Sequence, residues 1–115
     1  MNTARIYTGI ERDRDNAAIN QQCISRGLDT IRDGLISNYG GLTEIPGNGK
    51  WQDDTGIIQS EKCLIFDVIG EIAITDIKDI LYRANYYLNQ NSYLVLIDNT
   101  PEFIKPAIYK HAKTA

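Results

Sequence analysis

The sequence predicts an α+β fold in which one antiparallel sheet carries two helices on a single face. Two observations predict it. The apolar period switches between two residues, the repeat of a strand, and about 3.6 residues, the repeat of a helix, in the order strand, helix, strand, strand, helix, strand. Glycine, asparagine and aspartate cluster where the period switches. The 115 residues suffice for one domain, spanning 1–115.

Residues 3–11 read as a first strand, with Ala4, Ile6 and Thr8 on one face and Arg5, Tyr7 and Gly9 on the other. Arg12-Asp13-Arg14-Asp15-Asn16 is a polar break rich in helix-capping side chains. From Ala17 to about Tyr39, Ile24, Leu28, Ile31 and Leu35 form the stripe of an amphipathic helix. Gly27 and Gly34 weaken that helix and are expected to let it pack closely on the sheet. Gly40-Gly41 ends it, because glycine takes the left-handed stop conformation without penalty.

Residues 42–45 form a short second strand, and Pro46-Gly47-Asn48-Gly49 reads as a turn or bulge before Lys50-Trp51-Gln52 resumes extended chain. Asp53-Asp54-Thr55-Gly56 is a hairpin turn. Ile57 to Ile69 is a long third strand, its first half a ribbon extension. A second helix runs from about 76 to 90, capped by Thr75 or Asp76 and striped by Ile77, Ile80, Leu81, Ala84 and Leu88. Asn89-Gln90-Asn91 stops it, and Ser92–Ile97 is a fourth strand that reads as buried on both faces. Asp98-Asn99-Thr100-Pro101 ends that strand, leaving residues 102–115 as a docking or mobile tail.

This order is that of the ferredoxin-like βαββαβ plait, a four-stranded antiparallel sheet with two helices on one face and here a β-ribbon extension. The other face is left open, and a second copy is the expected cover. The middle of the chain carries Gly41-Leu42-Thr43, Gly47-Asn48-Gly49-Lys50-Trp51, Gly56 and Glu61. This pattern resembles short, uncharacterised bacterial and phage proteins with a Gly-x-Thr start, Gly-x-Gly-x-Trp and a Glu before a long strand. The resemblance implies a ferredoxin-like fold and says less about activity.

Lys plus Arg total 12 against 15 for Asp plus Glu, so the net charge is -3. That balance excludes the overall basic charge of a non-specific nucleic-acid binder. The chain has no apolar run of the roughly 18 residues that span a bilayer, and its N-terminus lacks a secretion-type apolar stretch. A cytoplasmic protein is expected, bacterial or made in a host cell by a phage or mobile element. Cys23 and Cys63 match no zinc or redox spacing and read as free thiols.

The candidate binding residues are Arg5, Tyr7, Trp51, Glu61, Asp67, Arg83 and Tyr86. Glu61 has two readings: a general base or ligand contact, or a strand charge paired with a neighbour such as Lys50. Asp67 falls on a face with Cys63, Ile65 and Ile69, where Arg5 on the adjacent first strand can meet it. Trp51 reads either as an interface or ligand anchor or as core. Tyr82, Arg83, Tyr86, Tyr87 and Tyr93 give the second helix a tyrosine-rich rim, a contact surface or the solvent side of the core. Gly47-x-Gly49-Lys50 lacks the helix that a phosphate loop needs. His111, the single histidine, has no partner for a metal or nucleophile set.

The expectation is a non-enzymatic, cofactor-free module that forms a homodimer or higher oligomer and binds a small molecule or a protein. One version is a phage- or mobile-element-encoded inhibitor that sequesters a host signal nucleotide or protein. The alternative is a cofactor-independent dimeric enzyme of oxygenase, isomerase or lyase type, with Glu61 or Asp67 as base and Arg5 steadying an anion.

Overall fold

The structure, a computed structural model, describes residues 1–106; the expectations placed on Ile108, Tyr109, Lys110, His111 and Lys113 lie outside them. Its elements are β1 (Asn2–Gly9), α1 (Gln21–Tyr39), β2 (Thr43–Gln52), β3 (Ile58–Gly70), α2 (Ile74–Leu88), β4 (Tyr93–Ile97) and β5 (Thr100–Ile104). The strands make one sheet in the order β2-β3-β1-β4-β5, with every neighbouring pair antiparallel. The class is therefore α+β, but the sheet has five strands rather than the expected four.

The fifth strand comes from the segment read as the start of a tail. Asp98 and Asn99 both have positive φ, 50° and 68°, the requirement of a tight two-residue hairpin. They fold residues 100–104 back beside β4 and place Ile104, 2% exposed, opposite Tyr93. Pro101 is tolerated because β5 is an edge strand.

Edge position also explains β2. Pro46-Gly47-Asn48-Gly49 is neither turn nor bulge: β2 pairs with β3 one-for-one from Thr43↔Asp67 to Gln52↔Ile58. The outer edge asks no N–H of Pro46. The hairpin at residues 53–56 forms as expected, with Gly56 at φ 86° and Asp53 Oδ1 accepting from the amides of Thr55 and Ile57 at 2.9 and 3.0 Å.

Both helices start elsewhere than expected. α1 begins after Asn20, whose Oδ1 accepts from Cys23 N at 2.8 Å. The earlier polar residues tie a loop instead, with Asp13 Oδ1 accepting from the amides of Asp15 and Ala17 at 2.9 and 3.1 Å. α2 begins at Ile74, and neither Thr75 nor Asp76 caps it; Asp76 favours the first turn by its charge. Gly40 and Asn89 end the two helices in the left-handed conformation.

The core lies on one sheet face. Ala4, Ile6, Phe66, Val68, Tyr93, Val95 and Ile104 meet Leu28, Ile31 and Leu35 of α1 and Ile77, Ile80, Leu81, Ala84 and Leu88 of α2. β4 is buried on this face only; Leu94 and Leu96 on the other are half-buried, because neither described helix covers that side. Gly27 and Gly34 bring α1 against α2, not against the sheet as expected. A Cβ at Gly27 would stand 2.4 Å from Leu88 Cγ, and one at Gly34 2.7 Å from Ile80 Cγ1.

Candidate functional site on the open sheet face

Strand register arranges the uncovered face in cross-strand rows. The first is Thr43, Asp67, Arg5 and Leu96, from β2 to β4. The second is Ile45, Ile65, Tyr7, Leu94 and Phe103. The third is Gly47, Cys63 and Gly9; then Gly49 faces Glu61, and Trp51 faces Gln59. The face thus runs from an ionic row, across an apolar row, to a glycine strip that ends at a carboxylate. Side-chain alternation places Arg5, Tyr7, Trp51, Glu61 and Asp67 on this side together.

At the ionic end the Arg5 guanidinium grips Asp67 with both forks: Nε donates to Oδ1 at 2.7 Å and Nη2 to Oδ2 at 2.8 Å. The pair holds the Asp67 carboxyl below its ordinary range, and the Asp67 contact with a further one from Tyr7 pushes the Arg5 guanidinium up. Above the pair lies an open concavity of about 400 Å³, lined by Thr3, Arg5, Thr43, Asp67, Ile69 and Leu96 among others.

At the glycine end the Glu61 side chain folds back over Gly9, where an added Cβ would lie 2.5 Å from Glu61 Oε2. Its Oε2 accepts from the amides of Glu11 and Arg12, each at 3.4 Å. These are long for N–H···O bonds, so they leave much of the carboxylate's acceptor capacity free. The expected pairing with Lys50 does not occur: Lys50 stands opposite Ser60 and therefore faces the helix side, whereas Glu61 stands opposite Gly49. Cys63 lies beside Gly47, and burial together with the Glu61 charge pushes its thiol up, the opposite of an activated nucleophile. Trp51 is 45% exposed at the far end of the ribbon.

Sequence reasoning missed the groups that support Glu61. Tyr93 Oη donates to Asn85 Oδ1 at 2.6 Å in the buried core. The same oxygen accepts from Gln90 N at 2.7 Å, and Gln90 Nε2 donates to Arg12 O at 2.8 Å. A chain of hydrogen bonds therefore runs from the core to the loop whose amides face Glu61. Only the folded chain brings Gln90 beside Arg12, and no local pattern announces it.

Arg83 and Tyr86 are not part of this face. They lie on the outer surface of α2, where Arg83 pairs with Asp79 at 3.2 Å and Tyr86 meets Tyr87 edge-on with ring centroids 5.1 Å apart. Helix and open face are separated by the core, so the tyrosine-rich rim and the sheet residues cannot share one small ligand. Among the described residues no group of three His, Cys, Asp or Glu side chains could hold a metal ion. No described helix is long and apolar enough to cross a membrane.

No family model matches the sequence, and neither does a curated protein. Two solved structures share its fold over nearly the whole length of both chains. A phage SAM lyase in its apo state superposes with a TM-score of 0.60 at 16% identity, covering 95% of this chain and 92% of the other. A phage SAM lyase in complex with S-methyl-5'-thioadenosine superposes with a TM-score of 0.56 over the same shares, also at 16% identity.

Proposed function

We propose that the open sheet face binds S-adenosylmethionine and that the protein cleaves it as a lyase, releasing S-methyl-5'-thioadenosine. The fold on this reading is a ferredoxin-like plait with a fifth strand added beyond β4. The seat of Glu61 carries the reading: a half-buried carboxylate with spare acceptor capacity at the end of a glycine strip. An ionised carboxylate only accepts, so it suits the two hydroxyl donors of a ribose. Beside it Gly49, where an added Cβ would meet only the Glu61 backbone oxygen at 3.8 Å, leaves room for a nucleoside to lie close to the backbone. Tyr7, in the apolar row between Glu61 and Arg5, offers a ring face to a sulfonium cation. The fold shared with two phage SAM lyase structures supports the same substrate class.

Cleavage breaks the bond between the sulfonium sulfur and the amino-acid chain. The electron pair goes to sulfur, which leaves as a neutral thioether. Without water the bond can be replaced by loss of a neighbouring proton to a base or by closure of the substrate's own carboxylate onto the carbon that sulfur leaves, giving a lactone, and the proposed route is the closure. This route needs no protein base. Asp67, held low by Arg5, is a poor proton acceptor, and Glu61 serves the nucleoside end. Water exclusion by the apolar row and alignment of carboxylate, carbon and sulfur are then the protein's contributions. A second copy laid over the exposed Ile69 and Phe103 would deepen that exclusion.

The test is incubation of the purified chain with S-adenosylmethionine, read by liquid chromatography and mass spectrometry, with native mass spectra of the same sample for oligomeric state. S-methyl-5'-thioadenosine should accumulate with the wild type and form ~100-fold more slowly with Glu61→Gln. Substrate retained without product would make the protein a sequestering binder. Neither product nor bound substrate would end the reading.

A further inference from the structure

Resting on that reading, we propose that the Arg5–Asp67 pair and the concavity above it form a subsite for an amino-acid zwitterion, taking the methionine end of the ligand. Arg5 has five N–H donors, two of which go to Asp67 and one to Tyr7, leaving two for another acceptor. Asp67 spends one lone pair per oxygen on Arg5 and keeps the others. The pair therefore offers donors and acceptors side by side. An α-carboxylate matches the first and an α-ammonium the second. A plain anion such as phosphate would meet the Asp67 charge, and a plain cation the Arg5 charge, so the doubly charged amino-acid head is the group that satisfies both.

The surroundings fit that head group and its chain. Thr3 and Thr43 add hydroxyls at the rim of the concavity, and Ile69 and Leu96 give it an apolar wall for the methylenes. From Arg5 to Gly9 is four residues along β1, roughly 13 Å, with the Tyr7 row between. An extended amino-acid side chain carrying a thioadenosine bridges such a span, its sulfur falling near Tyr7 and its ribose near Glu61. Arg5 holding one carboxylate oxygen leaves the other available for ring closure.

Amide-resolved NMR titration separates the subsite from the nucleoside site. L-methionine should shift the amides of Thr3, Arg5, Thr43, Asp67 and Ile69. Arg5→Gln and Asp67→Asn should each weaken it about tenfold, and Arg5→Lys should restore part of the loss. S-methyl-5'-thioadenosine, which lacks the amino-acid head, should shift Gly9, Gly49 and Glu61 and keep its affinity in all three variants. S-adenosylhomocysteine, which carries both ends, should bind the wild type more tightly than the thioadenosine, and Arg5→Gln should erase the difference. The dispersion of the same spectra reports folding of each variant. Methionine that leaves the Arg5 row unshifted, or that binds both neutral variants as well as the wild type, overturns the subsite. Methionine binding without any thioadenosine shift upholds the subsite and overturns the nucleoside reading.

Discussion

At Gly9 a side chain would collide with two polar atoms, Glu61 Oε2 at 2.5 Å and Gln90 Oε1 at 2.9 Å from its Cβ. Both belong to the ends of flexible side chains, so the fold can yield while the carboxylate cannot stay. On the proposed lyase reading, Gly9→Ala should leave the melting temperature within a few degrees of wild type yet slow S-methyl-5'-thioadenosine formation by ~10-fold or more, because a displacement near 1 Å of a substrate-positioning group is costly. A variant with unchanged turnover would show that the seat of Glu61 does not matter. The Arg5–Asp67 contact was legible in the sequence as a possibility, since a plait puts their strands side by side, and the register Arg5↔Asp67 then realises it. The Glu61 partner was not: a one-residue difference in register turns Lys50 to the opposite face, and register is set by pairing rather than by local pattern.

At the scale of elements, the helix pair depends on two glycines that the sequence showed as helix defects. Gly27→Ala should gain about 1 kcal/mol of helix propensity and lose more by forcing a methyl into Leu88, since overpacking typically costs 1–3 kcal/mol. The expected result is a lower midpoint in thermal unfolding by several degrees, and a raised midpoint would refute the close packing. The helices themselves were readable from their stripes, but their starts were not. Asn20 caps α1 because the residues before it bond among themselves, and Ala73 precedes α2 with no side-chain cap. The strand interrupted by Pro46-Gly47-Asn48-Gly49 reads as broken locally and is whole because its outer side has no neighbour among the described strands.

Across the molecule, arginine–carboxylate clips join parts distant in sequence. Arg5–Asp67 ties β1 to β3, and Arg32 ties α1 to β2 through Glu44, with Nε and Nη2 each 2.8 Å from a carboxylate oxygen. Arg32 holds Glu44 below its ordinary range as Arg5 holds Asp67, and Thr55 and Gln59 hold Asp53 down to about 2. Each folded-state value lies below the unfolded one of about 4, so the stabilisation is complete above that pH and disappears as pH falls towards the folded values. The melting temperature should be nearly flat from pH 7 to 5 and decline below about pH 4. Arg32→Gln should shrink that decline, and an acid slope unchanged by the variant would rule out the Arg32–Glu44 clip as its source.

Periodicity and punctuation alone determined the α+β class, the order of the first six elements, and the strand faces shared by Arg5 with Tyr7 and by Glu61 with Asp67. These follow from side-chain alternation and backbone propensity, which are local. Tertiary structure decided the fifth strand, the unbroken β2, the contact of α1 with α2 through glycine, and the exclusion of Arg83 and Tyr86 from the sheet face. It also decided which loop cradles Glu61, through Gln90 and Arg12. Each depends on which groups long-range pairing leaves at an edge, in a core or in contact, and no window of neighbouring residues contains that information.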